Sequence, residues 1–134
     1  MSKQLNPTQR AEMKRLFDEN GLTADDIFSH NHYTIITRGG IEKIQATHDI
    51  AIDYTMLHLD LPGKNILIEA RAYKRDDPSR VTVTYGEVNP KNCRNDYPVA
   101  MAEKRALSRA ILKTAGLYAH GVFGEDEAED FKKK

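Results

Sequence analysis

The chain has 134 residues, of which 40% are hydrophobic and 30% are charged, and its formal net charge is zero. This length predicts one domain with one core, and the composition is typical of a globular protein. A zero net charge excludes binding that relies on overall positive charge, so any basic surface has to come from clustering. The single cysteine, Cys93, excludes an intrachain disulfide and favours a reducing compartment.

Neither an apolar signal core at the N-terminus nor an apolar run of ~20 residues is present, so we expect a cytoplasmic protein with no membrane partner. The last ten residues, 125–134, hold five acids followed by three lysines, which leaves 17 basic and 15 acidic residues in the rest of the chain. We predict a single domain over residues 1–124 and a flexible tail over 125–134. The tail either keeps the protein soluble or contacts a basic protein partner.

Helix signals dominate the first third of the chain. Asn6 and Pro7 predict the start of a helix that ends near Gly21, and Thr23–Asp26 predicts the cap of a short second helix. The β-branched segment 33–37 predicts a strand. Arg38–Gly40 breaks this strand before a helix over 41–46, and it is either a turn or an anion site formed by free backbone N–H groups.

Three longer strands follow over 50–61, 66–73 and 81–85, joined by two short polar turns. Short connections of this kind predict an antiparallel meander. Pro98 then lies in the first turn of a long helix whose small apolar residues recur at intervals of three and four up to Leu117. The sequence therefore predicts an α+β fold, in which an antiparallel β-meander packs against a long C-terminal helix (a β-β-β-α core), with N-terminal helices.

Two groups of basic residues are candidates for nucleic-acid binding. The helix carries Lys104, Arg105, Arg109 and Lys113, and the last three are spaced at four residues along one edge. The strand-turn region carries Arg71, Lys74, Arg75 and Arg80. Such rows can pair with successive phosphates while bases stack on Tyr73, Tyr85 or Tyr97. The alternative is that these cations only solvate an outer helix face.

Sites for catalysis or metal binding are not indicated. His30 and His32 are two residues apart but have no partner ligands at a metal-binding spacing. Asp53 and Glu69 are single carboxylates without a visible acid–base partner. Cys93 has no histidine at a spacing that indicates a catalytic pair. We expect no enzyme activity, no cofactor and no metal.

One segment resembles a known family. It runs from Thr84-Tyr85-Gly86-Glu87-Val88 through a polar loop to the helix MAEKRALSRAIL (101–112) and Ala115-Gly116-Leu117. It is similar to the end of the single-strand annealing domain of Rad-type recombinases in eukaryotes and of Erf-like phage recombination proteins. In those families a strand ending in a Tyr-Gly turn precedes a helix rich in Ala, Lys and Arg. The resemblance covers about residues 50–124.

The resemblance implies a protein, from a phage or mobile element, that binds single-stranded DNA and anneals strands in recombination without ATP. It implies a homo-oligomeric ring or filament that holds DNA along a basic groove. Arg105 and Arg109 match the basic helix positions of the family. Two alternatives remain open, namely an oligomeric scaffold or interaction module without strong DNA binding, and an enzyme or small-molecule binder on a similar core.

Overall fold

The computed structural model describes residues 7–30, 33–94, 96–118 and 122–125. In chain order its elements are α1 (Pro7–Glu19), β1 (Ile27–His30), β2 (Tyr33–Ile36), α2 (Arg38–His48), β3 (Ile50–Asp60), β4 (Asn65–Lys74), β5 (Asp77–Val88), α3 (Pro98–Thr114) and β6 (Val122–Gly124). The strands form two three-stranded sheets with the orders β1-β2-β6 and β3-β4-β5. The predicted α+β fold is confirmed, because α3 packs on the antiparallel β3-β4-β5 meander.

The meander has a face covered by α3, which we call the helix face, and an opposite open face. Side chains alternate between the faces along each strand, and directly opposite residues share a face. On β4 the buried residues Ile66, Ile68, Ala70 and Ala72 belong to the helix face. The open face carries Leu67, Glu69, Arg71 and Tyr73 of β4, with Asp53 and Thr55 of β3 and Val83 and Tyr85 of β5 beside them.

Gly86 lies inside β5 on the helix face and not in a turn, so the expectation that a Tyr-Gly turn ends this strand is wrong. A Cβ atom built on Gly86 would lie 1.8 Å from the backbone oxygen of Ala102 and 2.7 Å from the backbone nitrogen of Ala106. The glycine and the two alanines therefore let the backbones of β5 and α3 approach closely. The buried hydroxyl of Thr84 donates to the Ala106 carbonyl at 2.8 Å beside this contact.

Helix α3 is central in the fold. Pro98 occupies its first turn as predicted, and Gly116 follows its end with φ of +81°. The meander covers one side of α3, while α2 and β6 contact it elsewhere. Within the helix, Glu103 and Lys113 are the exposed residues. The alternative of a continuous solvated basic edge fails at the buried Arg105, although Lys113 is exposed, because packing on two sides leaves α3 little outer surface.

The N-terminal third differs from the prediction at two places. The second helix shrinks to one 3-10 turn, Ala24–Asp26, and the chain continues as β1, which pairs antiparallel with β2. Asp26 still caps this turn, accepting hydrogen bonds from the Thr23 backbone N–H and hydroxyl. Helix α2 begins at Arg38, because the Thr37 side chain accepts from Gly40 N and caps it.

Strand β6 completes the small sheet by pairing parallel with β2. The pairing brings the end of the described chain next to the start of α2, and Glu125 there accepts a hydrogen bond from Arg38 N at 2.6 Å. Glu125, the first residue of the predicted tail, thus contacts the domain. The predicted helix cap Asn6 and the rest of the tail lie outside the described residues.

Candidate nucleic-acid interface

Arg105, a predicted DNA contact, lies in the protein interior with 1% of its surface exposed. One guanidinium nitrogen, Nη1, donates to the Glu87 carbonyl at 3.1 Å and to Asn92 Oδ1 at 3.0 Å. Nη2 donates to the Asn92 carbonyl at 2.5 Å. A burial this complete requires such bonds, because an unsatisfied buried charge is costly. Arg105 therefore holds the loop between β5 and α3 in place, and a side chain this buried is not part of a DNA interface.

Arg109, the second position taken from the family pattern, also bonds to the protein. Its Nη1 donates to the Tyr85 carbonyl at 2.6 Å. Tyr85 and Glu87 are two residues apart, so their carbonyls point to the same side of β5. Both arginines thus donate hydrogen bonds to backbone carbonyls on the same side of β5.

The helix lysines have separate environments at opposite ends of α3. Lys104 Nζ lies 5.8 Å from the ring centroid of Tyr97, and Lys113 Nζ lies 5.3 Å from that of Tyr118. Each cation faces an aromatic ring at a cation–π distance. Lys113 is exposed and the ring contact leaves it at the surface.

Lys113 and Lys74 meet at a cleft between the β4–β5 hairpin and the end of α3. We call this the hairpin cleft, and its lining is Lys74, Asp77, Arg80, Thr82, Lys113 and Thr114. Its volume is about 220 Å³. Three cations and one carboxylate give it a formal charge of +2. The Arg80 guanidinium is 3.8 Å from Asp77, and 89% of the Arg80 side chain is exposed, so this cation is available to a ligand.

Hydroxyl groups make the hairpin cleft better suited to an oxyanion. Thr82 and Thr114 line it together with the cations, and Thr114 Oγ1 is buried without a hydrogen-bond partner among the described residues. The carboxyl end of α3 contributes a partial negative charge of about half a unit. Three full positive charges outweigh this effect, so the cleft favours a phosphate-sized anion.

The remaining predicted hairpin residues lie elsewhere. Arg71 is on the open face, where its Nε is 2.9 Å from Glu69 Oε1 and Asp53 is directly opposite on β3. Arg75 is paired with Asp49 at 3.1 Å. The structure thus joins three of the eight basic candidates, Lys74, Arg80 and Lys113, in one site.

The tyrosines proposed for base stacking do not line the hairpin cleft. Tyr73 and Tyr85 lie on the open face, across the sheet from α3, and Tyr85 is 46% exposed. Tyr97 is 58% exposed at the start of α3, whereas the cleft lies at its end. Phosphate and base contacts would therefore use different faces of one subunit.

The possible anion site at Arg38–Gly40 is already occupied within the chain. These residues form the first turn of α2, whose N–H groups point to Thr37 Oγ1 and to the Glu125 carboxylate. A carboxylate at a helix N-terminus is stabilised by the helix dipole. Glu125 thus fills the position that an external anion would take.

Other chemistry finds little support in the part of the chain that the structure describes. Clusters of three or more His, Cys, Asp or Glu side chains suited to a metal are absent there. The backbone of His30 belongs to β1, and His32 lies outside the described residues. Cys93 is buried at 4% exposure.

Among the described helices, none combines the length and the apolarity that crossing a membrane requires.

Comparisons with protein-family models, with curated proteins and with solved structures found no match.

Proposed function

We propose that this protein binds the phosphate backbone of single-stranded DNA at the hairpin cleft with little sequence preference, and that it anneals strands without ATP as a homo-oligomer. The observation that carries the proposal is the convergence of Lys74, Arg80 and Lys113 around one anion-sized cleft. Electrostatic binding of this kind does not depend on base identity. In this proposal the protein is cytoplasmic, comes from a phage or mobile element and has no catalytic activity of its own.

The number of cations in the hairpin cleft sets the expected strength of DNA binding and its dependence on salt. Three phosphate contacts on a single strand predict a slope of about −2 in a plot of log K against log salt, or about a 20-fold loss of affinity from 50 to 200 mM salt. Among the other predicted cations, Arg71 and Arg75 each lie near a carboxylate and Arg105 is buried, so these three add little to phosphate binding. We therefore expect modest affinity for one subunit and stronger binding only in an oligomer.

The test is a salt series of fluorescence anisotropy with a labelled single strand. We expect Arg80→Ala/Lys113→Ala to reduce the slope from about −2 to about −0.7, because each lost phosphate contact removes about 0.7. The matched control is Arg71→Ala/Arg75→Ala, which removes the same charge away from the cleft and should keep most of the slope. Equal losses in the two double variants would show that overall charge, and not the hairpin cleft, accounts for binding.

Annealing is tested separately, with two complementary labelled strands and no ATP. A faster rate with wild-type protein than with the cleft double variant supports the full proposal. Binding without faster annealing would keep the cleft as a DNA site and reject the annealing function.

A second function, an oligomeric scaffold without strong DNA binding, is favoured by a different observation. Large apolar side chains are exposed along one strand, with Met56 at 42%, Leu57 at 49% and Leu59 at 51%. An apolar strip of this size is typical of a protein–protein contact. Absence of single-strand binding at low salt, together with stable self-association, would establish this function in place of the first.

A further inference from the structure

The two edge strands of the meander, β3 and β5, differ in whether their outer backbone groups are occupied. The Arg75 backbone N–H donates to the Asp49 carbonyl at 3.0 Å, in register with the β3–β4 ladder. In an antiparallel ladder, alternate residues direct both backbone groups to the same neighbour. The odd-numbered residues of β4 therefore bond to β3, and the even-numbered ones bond to β5.

On β5 this alternation turns the backbone of Tyr85 and Glu87 away from β4. Those are the carbonyls that accept hydrogen bonds from Arg109 and Arg105. The Asn92 side-chain amide adds a third donor, 3.4 Å from the Glu87 carbonyl. A strand from another molecule would have to displace two arginines to pair here, so the last part of the β5 edge is closed.

On β3 the same alternation turns the backbone of Ile52, Tyr54 and Met56 outward. The described residues outside the sheet make no hydrogen bond to these groups. Several side chains along and just beyond this edge are large, apolar and exposed, including Tyr54 at 41% and Leu61 at 54%. An open edge with such a surface is the part of a sheet most prone to pair with another chain.

We propose that β3 pairs antiparallel with β3 of a second copy of this chain across a two-fold axis near Thr55, so that two meanders form one six-stranded sheet. The contact is self-complementary, as a two-fold interface must be. An axis at Thr55 sets Tyr54 opposite the partner's Met56 on the helix face, with both residues presenting free backbone groups. A β-bulge between Met56 and His58 places His58 opposite Leu67, on the open face. The axis therefore also brings Asp53 near the imidazole of the partner's His58 on that face, which places a hydrogen-bond donor next to a carboxylate.

Charge disfavours the register that lies two residues closer to the start of β3. Moving the axis by two residues to Asp53 would place the two Asp53 carboxylates opposite each other, which is destabilising in a cross-strand pair. Two-fold pairing of β3 with itself uses the open edge of each copy, whereas the arginines close the last part of the β5 edge. The result is a closed dimer, whereas pairing of β3 with β5 would extend into a ring or filament.

Self-association is measured by sedimentation velocity of the full chain from ~1 to ~100 µM, because mass action makes a dimer depend on concentration. We expect wild type to sediment as a dimer at the upper end and Met56→Lys to remain a monomer. The matched control is Val81→Lys, which changes a 46% exposed residue on the other edge strand and should still dimerise. A wild type that stays monomeric over this range, or equal effects of the two variants, overturns the proposal.

A cysteine pair tests the register even if Met56→Lys fails to fold. Two Thr55→Cys chains related by the proposed axis would lie close enough for a disulfide and should run as a covalent dimer on a non-reducing gel after mild oxidation. Glu87→Cys, exposed on the other edge strand, should remain monomeric, as should wild type, whose Cys93 is buried. Absence of a Thr55→Cys dimer, or equal cross-linking of Glu87→Cys, overturns the proposed pairing.

Discussion

At the residue scale, the two α3 arginines have a role that their sequence pattern does not reveal. The outer carbonyl groups of an edge strand have no neighbouring strand to donate to them, so other donors can take that place. Arg105 provides donors to Glu87 and Asn92, and Arg109 provides one to Tyr85. A long, flexible side chain with several N–H groups can reach such acceptors from a helix that crosses the strand. The spacing of four residues between Arg105 and Arg109 thus matches the positions of successive outer carbonyls along β5.

Replacement of Arg105 by alanine is expected to lower the free energy of unfolding by about 3 kcal/mol, because several hydrogen bonds from a charged donor are lost and a buried side chain leaves a void. Chemical denaturation of the variant measures the change. Lys113→Ala is the control and should change stability by less than ~0.5 kcal/mol, as expected at an exposed site. An Arg105→Ala protein as stable as wild type would show that the buried bonds contribute nothing net.

His48 predicts a pH dependence of stability. Its Nε2 is buried without a hydrogen-bond partner among the described residues. Burial, helped by the charge of Lys74 and opposed by Glu19, lowers the pKa of this imidazole below its ordinary 6.5. Below pH 6.5 the unfolded chain therefore binds more protons than the folded one, and stability falls as the pH drops from 6.5 through the folded pKa.

His48→Gln is expected to flatten the fall in the free energy of unfolding between pH 7 and pH 5. Urea denaturation of wild type and variant at several pH values measures both slopes. Identical slopes would assign the acid sensitivity to other groups.

At the element scale, the packing of α3 on the meander depends on small residues at the point of closest approach. Gly86 meets the α3 backbone at Ala102 and Ala106, and side chains at these positions are fully buried. On another side of α3, Gly124 of β6 lies against Ser108, where an added Cβ would be 2.6 Å from the serine side chain. Small residues thus let strands approach the helix closely at two places, and its close packing leaves few of its cations at the surface.

Gly86→Ala is expected to destabilise the protein by about 3 kcal/mol or more, since the new methyl group would overlap helix backbone that cannot move alone. Gly39→Ala is the matched control, because its Cβ would find nothing closer than 3.9 Å. In the first turn of α2 it should be neutral or stabilising by up to ~1 kcal/mol, since alanine favours helix over glycine. Thermal unfolding followed by circular dichroism compares the two, and an equal loss in both would contradict the contact at Gly86.

At the scale of the whole molecule, the fold closes through contacts between the beginning and the end of the described chain. Strand β6 pairs with β2 and buries Val122 completely, and Glu125 then caps α2 from 87 residues away along the chain. The third strand of the small sheet can therefore pair only when α3 has brought the chain back to β2. Contacts of this kind add stability late in folding, because the long loop must close first.

Deletion of residues 119–134 is expected to lower the free energy of unfolding by about 3 kcal/mol or more, because it removes the buried Val122, one edge strand and the Glu125 cap. Deletion of residues 126–134 is the control. It tests a tail boundary one residue later than the predicted one, because Glu125 contacts the domain. Denaturation curves for both truncated chains are compared with wild type. A shorter deletion that costs as much as the longer one would contradict a boundary after Glu125.

The local pattern of the sequence by itself determined the meander, the long helix and its first turn. Short hairpins and a helix of regular apolar spacing are set by neighbours in the chain, which the sequence displays directly. Tertiary structure alone decided that 27–30 forms a strand, because its partner residues in β2 outweigh a weak local helix signal. It also decided which basic side chains of α3 bond to the protein and which reach the surface. A basic row on a helix has the same sequence pattern whether the opposing surface is water or the unpaired carbonyls of a strand.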